Sequence, residues 1–313
     1  MRSAGGRTRD LWRCAVGARR VHGRASTVLA TRETHRTQES RDLPSVGVAA
    51  WSPLLWPFAM LLCPEEAQAG AWTLRPGDGQ IIAQTTLAHA SSEFGPSSAL
   101  YDSRPYDKAE VTLVFEYGLT DWLTVLAAPQ LLSVSLGAPD PSSYTGLGYT
   151  DAGARVRLWQ GEGVVVSGQV VGRFSGTGQS RSAAAVGYED PELDLRLLAG
   201  FSFLLWERAA FVDLQLAQRQ RFGDPPDELH LDVTLGVRLT ERWQGLVQSF
   251  NVMSEGAGEG PYFDVSYEYY KLQLGAAFDW STALTLQAAV VTTYFARNAP
   301  QENGLVLSAL YRF

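Results

Sequence analysis

Segments in which apolar and polar residues alternate recur throughout residues 80–313, and this pattern constrains the fold more than any other feature of the chain. In one of them, Val111 and Phe115 alternate with Glu110 and Glu116. A period of two is typical of β-strands that have one apolar and one polar face. Twelve such segments can be assigned, with connections that are alternately long and short. The sequence therefore predicts an all-β chain built from antiparallel hairpins.

The polar faces carry charges of both signs, and the segments are about as long as a tilted strand needs to cross a bilayer. No run of about 20 apolar residues follows residue 69, which argues against transmembrane helices. We predict a 12-stranded antiparallel transmembrane β-barrel, and a soluble β-sandwich or β-barrel is the alternative. The first long loop is expected at Ser91–Asp107, and Pro129 is expected to form a bulge within a strand.

Tryptophan placement favours the membrane barrel over the soluble fold. Each tryptophan after Trp72 lies at or beside a predicted short turn: Trp122, Trp159, Trp206, Trp243 and Trp280. A ring of tryptophans at one end of the strands is typical of the aromatic girdle at a membrane interface. A soluble sandwich would instead bury tryptophan in mid-strand. We therefore interpret these five residues as a periplasmic aromatic girdle.

Residues 1–69 are interpreted as lying outside the mature protein. Residues 1–45 are rich in arginine and lack a pattern, so they are interpreted as a disordered leader or a mis-assigned start. Residues 46–69 read as a signal peptide, with an apolar stretch and an A-x-A cleavage site that ends at Ala69. A lipoprotein signal with lipidated Cys63 is the alternative. The mature barrel would then comprise residues 70–313.

Cleavage after Ala69 would leave 16 Lys and Arg against 27 Asp and Glu, a net charge of −11. Such an acidic chain is not expected to bind nucleic acid. Both cysteines, Cys14 and Cys63, precede the mature segment. We therefore expect neither a disulfide nor a metal site nor any other cofactor.

Charged residues on the polar faces are the main functional candidates, because a charge that faces hydrocarbon costs about 2–4 kcal/mol at mid-depth. Their side chains are expected to line the lumen, either as structural ion pairs or as a constriction that selects solutes. An excess of inward arginine on the fourth to eighth strands favours anions. The candidates are Glu110, Glu116, Asp151, Arg155, Arg157, Arg173, Glu192, Asp194, Arg196, Asp213, Arg219, Arg221, His230, Asp232, Arg238, Lys271 and Arg312.

A second candidate site lies at the end of the first predicted strand. His89 and Ser91 are two residues apart and so share one face, toward lipid near the loop end. Their spacing resembles that of outer-membrane lipid hydrolases, in which histidine activates serine for ester attack. Glu93 has the same parity and would orient the histidine. The structural alternative is a strand end that runs into a polar loop.

Several blocks resemble bacterial outer-membrane porins and transporters, a group that includes the barrel family named for phenol degradation pathways. These blocks are Gly70–Thr73, Tyr117–Leu123, Gly146–Arg155 and Leu310–Phe313. The resemblance implies a barrel in the outer membrane of a Gram-negative bacterium, and it carries over no functional residue. The expected function is a channel or transporter for small solutes. An outer-membrane lipid esterase or deacylase and a closed structural barrel are the alternatives.

The last strand, Gly304–Phe313, alternates apolar residues and ends on phenylalanine. This ending resembles the signal by which the barrel-assembly machinery recognises outer-membrane proteins. Deletion of Phe313 is therefore expected to lower the amount of folded protein in the outer membrane without removing any candidate lumen residue. Membrane fractionation with quantitative immunoblotting measures this amount, and an unchanged yield would contradict the interpretation.

Overall fold

A computed structural model describes residues 70–177, 182–259 and 262–313. The predicted leader, the predicted signal peptide and both cysteines lie outside these residues. The long strands are β1 (Gly79–Phe94), β2 (Leu100–Thr120), β3 (Leu123–Leu136), β4 (Ser142–Gly161), β5 (Val164–Ser175), β6 (Glu192–Leu205), β7 (Arg208–Arg221), β8 (Glu228–Arg238), β9 (Trp243–Ser254), β10 (Glu268–Asp279), β11 (Leu284–Arg297) and β13 (Asn303–Arg312). The short elements are the two-residue strand β12 (Ala299–Pro300) and a 3₁₀ turn (Ala183–Ala185). No helix in these ranges is long and apolar enough to cross a membrane.

The strands form one closed antiparallel sheet. Each long strand pairs with its neighbours in sequence, and β1 pairs with both β2 and β13. The closing ladder runs from Gln80 opposite Arg312 to His89 opposite Asn303. These pairings confirm the predicted 12-stranded antiparallel β-barrel.

Side chains alternate between the outer and inner surfaces along each strand. On β6, Leu195 and Leu197 are about half exposed, whereas Asp194 is 3% exposed and pairs with Arg196. Large apolar residues are thus on the outside, and charged residues are on the inside. A soluble β fold would show the opposite arrangement, so this pattern agrees with the transmembrane prediction.

The strand ends differ from the sequence prediction on one side of the barrel. Residues Ser91–Asp107 were expected to form a long loop, but β1 continues to Phe94 and β2 begins at Leu100. The prediction was wrong because this stretch is largely polar and its few apolar residues show no regular alternation. Backbone pairing extends the hairpin beyond the apolar band. The predicted bulge at Pro129 is confirmed by a shift of register between Pro129 and Leu131.

Gly304, at the start of β13, sits where the closing strand meets both of its neighbours. A Cβ atom there would lie 2.5 Å from the carbonyl oxygen of Leu87 and 3.1 Å from Val291. We expect Gly304→Val to force the closing strands apart and to destabilise the barrel by about 1–3 kcal/mol. The measurement is the temperature at which the folded band disappears on a seminative gel.

Ser308→Val is the matched control for this substitution. Ser308 lies on the same strand and the same face as Gly304, but it borders the internal cavity described below. Valine should therefore fit at this position with little loss of stability. Equal melting temperatures for the two variants would show that closure does not depend on the glycine.

Candidate channel lumen

The chain enters the barrel from the short-turn end. The N-terminal segment (Gly70–Asp78) precedes β1 and folds back against the turn between β2 and β3. There the Gly77 N–H donates to the Gly118 carbonyl at 2.9 Å, and the Leu74 N–H donates to Thr124 Oγ1 at 2.8 Å. From this point the segment runs into the lumen.

Trp72 is the largest side chain of this segment. Its ring meets Phe211 edge-on with the centroids 6.3 Å apart, and it packs against the buried residues Leu198 and Leu246. A Cβ atom on Gly200 would overlap the indole, so the glycine makes room for the ring. The result is an apolar layer on one side of the lumen, built from Trp72 and from residues of β5, β6, β7, β9 and β10.

Polar groups of the barrel wall bind the backbone on either side of this ring. Arg155 Nη1 donates to the Trp72 carbonyl at 3.1 Å, and Ser167 Oγ donates to the Ala71 carbonyl. The Ala71 N–H donates to Asp213 Oδ2 at 2.7 Å. Because buried backbone groups are costly when they are unpaired, these bonds specify where the segment lies.

Between this layer and the long-loop end of the barrel, an ion-pair network fills the side of the lumen formed by β4 to β8. Glu192 is its centre: it lies 2.7 Å from Arg173 and 2.8 Å from Arg221, and it accepts a hydrogen bond from the Tyr149 hydroxyl at 3.0 Å. Arg173 also lies 3.1 Å from Asp151. Carboxylates and guanidinium groups buried together stabilise each other where either one alone would be unfavourable.

The network continues across β6 to β8 through two further carboxylates. Arg196 lies 3.2 Å from Asp194 and 2.7 Å from Asp232, which is two strands away. Arg219 also reaches Asp194, at 3.0 Å. A long arginine side chain on the inner surface thus reaches past the neighbouring strand.

Glu228 ends the network at the long-loop side. It lies 2.7 Å from His230 Nε2 and 3.4 Å from Arg221, and it accepts a hydrogen bond from the Tyr267 hydroxyl. Burial, reinforced by the charge of Glu228, raises the pKa of Tyr267, which precedes β10. The phenol therefore remains a proton donor at neutral pH.

The opposite side of the lumen holds an open cavity of about 540 Å³. Its wall from β9 through β11 and β13 to β1 is rich in neutral amides and hydroxyls, namely Gln84, Thr86, Gln244, Gln248, Gln273, Thr285, Gln287 and Ser308. Lys108 and Lys271 also line it, and both pair with Glu302. The lumen is thus divided into a charged, filled side and a mostly neutral, open side.

The sequence-predicted lumen residues fall into two groups in the structure. Fourteen of them contact an oppositely charged or ionisable side chain. Thirteen form ion pairs: Glu110, Glu116, Asp151, Arg155, Arg173, Glu192, Asp194, Arg196, Arg219, Arg221, Asp232, Arg238 and Lys271. The fourteenth, His230, lies 2.7 Å from Glu228. The other three are placed differently. Asp213 binds the N-terminal segment, Arg312 donates to Thr285 near the short-turn end, and Arg157 lies on the inward parity of β4.

Four charged members of the lumen were absent from the prediction. Lys108 has the parity of Glu110 on β2, and Glu228 flanks His230, so the same alternation rule would have included both. Asp279 is the last residue of β10 and pairs with Arg238. Glu302 lies in the connection between β12 and β13, where the period of two does not apply and so cannot assign its side chain to the lumen.

The His89 candidate has a partner other than the predicted one. His89 Nδ1 lies 2.7 Å from Asp107 Oδ1 on the neighbouring strand β2, and both side chains are exposed. Glu93 lies beyond a register shift between Ala90 and Ser92, opposite Tyr101. In the described residues no hydrogen bond joins His89 to Ser91.

His89 and Asp107 belong to a row of exposed polar side chains that crosses the outer surface, here called the outward polar row. Asn303 on β13 is opposite His89, and Ser135 on β3 is opposite Asp107. No group of three metal-ligating side chains occurs in this row or elsewhere in the part of the chain that the structure describes.

The five predicted girdle tryptophans are all exposed beside the short turns, and Trp206 is the most exposed at 85%. The other end of the barrel also carries exposed aromatic rings, including Tyr101, Phe174, Phe222 and Tyr294. Aromatic residues therefore flank the apolar outer surface at both ends, as they do in transmembrane barrels.

Comparison with known proteins identifies the fold. No protein-family model matches the chain, and no curated protein matches it in sequence. The COG4313 outer membrane channel from Pseudomonas putida F1 is similar in structure, with a TM-score of 0.64 and 16% identity over 79% of this chain and 100% of that one. The translocator domain of the autotransporter NalP from Neisseria meningitidis has a TM-score of 0.47 and 12% identity over 80% and 90% of the two chains. The chain thus has the fold of an outer-membrane β-barrel.

Proposed function

We propose that this protein is an outer-membrane channel that passes small solutes along the neutral side of its lumen. The observation that carries the proposal is the division of the lumen. Ion pairs fill one side, while a cavity of about 540 Å³ is open on the other. A twelve-stranded barrel is also wider than the eight-stranded barrels that side chains fill completely.

The neutral wall offers hydrogen bonds to a passing solute. Gln273 Nε2 donates to Gln248 Oε1 at 2.7 Å, and Gln248 Nε2 donates to Thr234 at 3.3 Å. Gln244 is 4% exposed and lines the cavity, and its Nε2 has no hydrogen-bond partner among the described residues. Amide groups both donate and accept, so this wall can replace part of the hydration of a polar solute.

The charges that border the cavity give it a small positive excess. They are the four cations Lys108, Arg196, Arg219 and Lys271 and the three carboxylates Asp213, Asp232 and Glu302. The arginine excess inferred from sequence on the fourth to eighth strands is largely neutralised by the ion-pair network. We therefore expect a modest preference for anions that depends mainly on the two lysines.

The proposed location is the bacterial outer membrane, where lipid surrounds the apolar outer surface. Engagement of the assembly machinery through the strand that ends at Phe313 is part of the proposal. The resemblance to the group that includes the barrels named for phenol degradation pathways rests on the sequence blocks Gly70–Thr73, Tyr117–Leu123, Gly146–Arg155 and Leu310–Phe313.

The purified barrel is expected to conduct ions in planar bilayers and to favour anions weakly. Lys271→Gln should shift the chloride-to-potassium permeability ratio toward potassium by about twofold or more, because the cavity then loses one of its four cationic side chains. Reversal potentials in a salt gradient measure this ratio.

Arg104→Gln is the control for the change in charge. It also removes one cation, but Arg104 does not border the cavity and instead donates to the Asp140 carbonyl. A ratio that shifts equally in both variants would contradict a selective role for the cavity. Absence of conductance in the parent protein would instead favour the closed structural barrel.

A second candidate function, outer-membrane lipid hydrolysis, is favoured by one contact. The 2.7 Å approach of His89 Nδ1 to Asp107 Oδ1 resembles the orientation of a general base by a carboxylate, on the surface that would face lipid. Ser91 would be the nucleophile.

Phospholipid turnover by the purified barrel tests this candidate. If the candidate is correct, Ser91→Ala should abolish product release measured by mass spectrometry, and Ser92→Ala should leave it intact. Equal product release by Ser91→Ala and the parent protein would exclude the mechanism.

A further inference from the structure

Asp213 is the exception among the buried carboxylates of the barrel. Six carboxylate side chains are less than 9% exposed: Glu116, Glu192, Asp194, Asp213, Glu228 and Glu302. Five of them lie within 4.0 Å of a basic nitrogen. Within the described residues, Asp213 has no such partner, although it is only 3% exposed. It is held by neutral donors, Ala71 N–H and Gln215 Nε2.

A buried carboxylate without a cation is unfavourable, because the lost hydration is not replaced by an opposite charge. The other buried carboxylates of this lumen obey that rule. Arg155 and Arg196 act on Asp213 only from beyond 4.0 Å. The surroundings of Asp213 therefore leave room for a positive charge in direct contact with it, which no Lys, Arg or His side chain of the described residues provides.

Gly70 is the residue that lies against this carboxylate. A Cβ atom on Gly70 would overlap the Asp213 carboxyl group, so its Cα is in direct contact with the acid. Its φ of +87° is also a conformation that favours glycine. The Gly70 nitrogen is bonded to the same Cα, at about 1.46 Å. A charge on this nitrogen would be adjacent to the carboxylate.

The sequence indicates how this nitrogen becomes charged. Ala67-Gln68-Ala69 is the A-x-A motif of a signal-peptidase site, and the first residue after it is Gly70. We propose that cleavage after Ala69 frees the α-ammonium of Gly70, and that this ammonium forms an ion pair with Asp213 that locks the N-terminal segment across the lumen. Hydrolysis of the Ala69–Gly70 peptide bond by water gives the Ala69 carboxylate and this ammonium.

Two independent observations support this ion pair. The sequence motif predicts where the new terminus arises, and the fold brings that residue to the unpaired acid. A free α-amino group has an ordinary pKa of about 7.7–8.0 and is mostly protonated at neutral pH. In the unprocessed chain the same nitrogen is a neutral amide. The ion pair therefore forms only after cleavage, and the Trp72 layer becomes fixed at that stage.

The terminus itself is the first test. Intact-mass and N-terminal peptide measurements on protein purified from outer membranes should give a chain that begins at Gly70. A mature chain that begins at any other residue would overturn the proposal, because its α-ammonium would not meet Asp213.

The second test measures how firmly the segment is seated, without using conductance. Ala71 is fully buried, so Ala71→Cys places a thiol that is protected while the segment is seated. The proposed mature chain has no other cysteine. Adding Asp213→Asn should raise the rate of maleimide labelling at least tenfold. Adding Asp151→Asn, which removes a lumen carboxylate paired with Arg173, should leave the rate unchanged.

A third variant separates the charge from the fold. Two residues, Ser-Gly, inserted between Ala69 and Gly70 move the ammonium away while Asp213 remains. Labelling should rise as it does in Asp213→Asn, and the two changes together should give no further increase. Heat-modifiable migration on gels identifies the folded barrels to be compared. Labelling rates that stay within twofold of the parent in both variants would overturn the ion pair, whether or not the barrel conducts.

Discussion

Pairing between β1 and β13 is the interaction on which the rest of the structure depends. No water is available in the hydrocarbon region to satisfy backbone N–H and C=O groups, so a spanning sheet must have no free edge. The ladder from Gln80–Arg312 to His89–Asn303 removes the last two edges. Closure also creates an interior. Residues such as Asp194 and Arg196 can be charged in a membrane protein because this interior exists.

The interior is organised by the fact that a buried charge is unfavourable unless it is paired with an opposite charge. Glu192, Asp194 and Glu228 draw the arginines of β5 to β7 into one continuous network. This network occupies one side of the lumen, and the remaining space lies on the side with few acids. Lumen shape in this protein is thus a consequence of charge pairing, and the backbone barrel sets only its outer limits.

Alternation in the sequence was sufficient to predict the fold and most of the lumen. Asp194 and Arg196 alternate with Leu195 and Leu197, so a period of two assigns their faces without any knowledge of partners. Partners were not predictable in the same way. The contact between Arg196 and Asp232 crosses an intervening strand, and a period of two does not indicate which residue will lie opposite at that distance.

The N-terminal segment was beyond the reach of pattern analysis for a related reason. Residues 70–78 have no period, and their polar contacts are made by the backbone. Nothing in Gly70 or Ala71 as residue types indicates that Asp213, 142 positions after Ala71, will bind them. The prediction of strand ends failed for a similar reason at Ser91–Asp107, where backbone pairing continues after the apolar–polar alternation has stopped.

The outward polar row sets an upper limit on the hydrocarbon thickness of the membrane that the barrel can occupy. His89 lies ten positions along β1 from Gly79, which pairs with the short-turn end of β2. With a rise of about 3.3 Å per residue and a tilt of about 40°, the apolar band below the row is about 25 Å tall. A thicker bilayer would immerse His89 and Asp107 in acyl chains. Lipids with short chains are therefore the natural match for this barrel, and thick, sterol-rich membranes would have to thin around it.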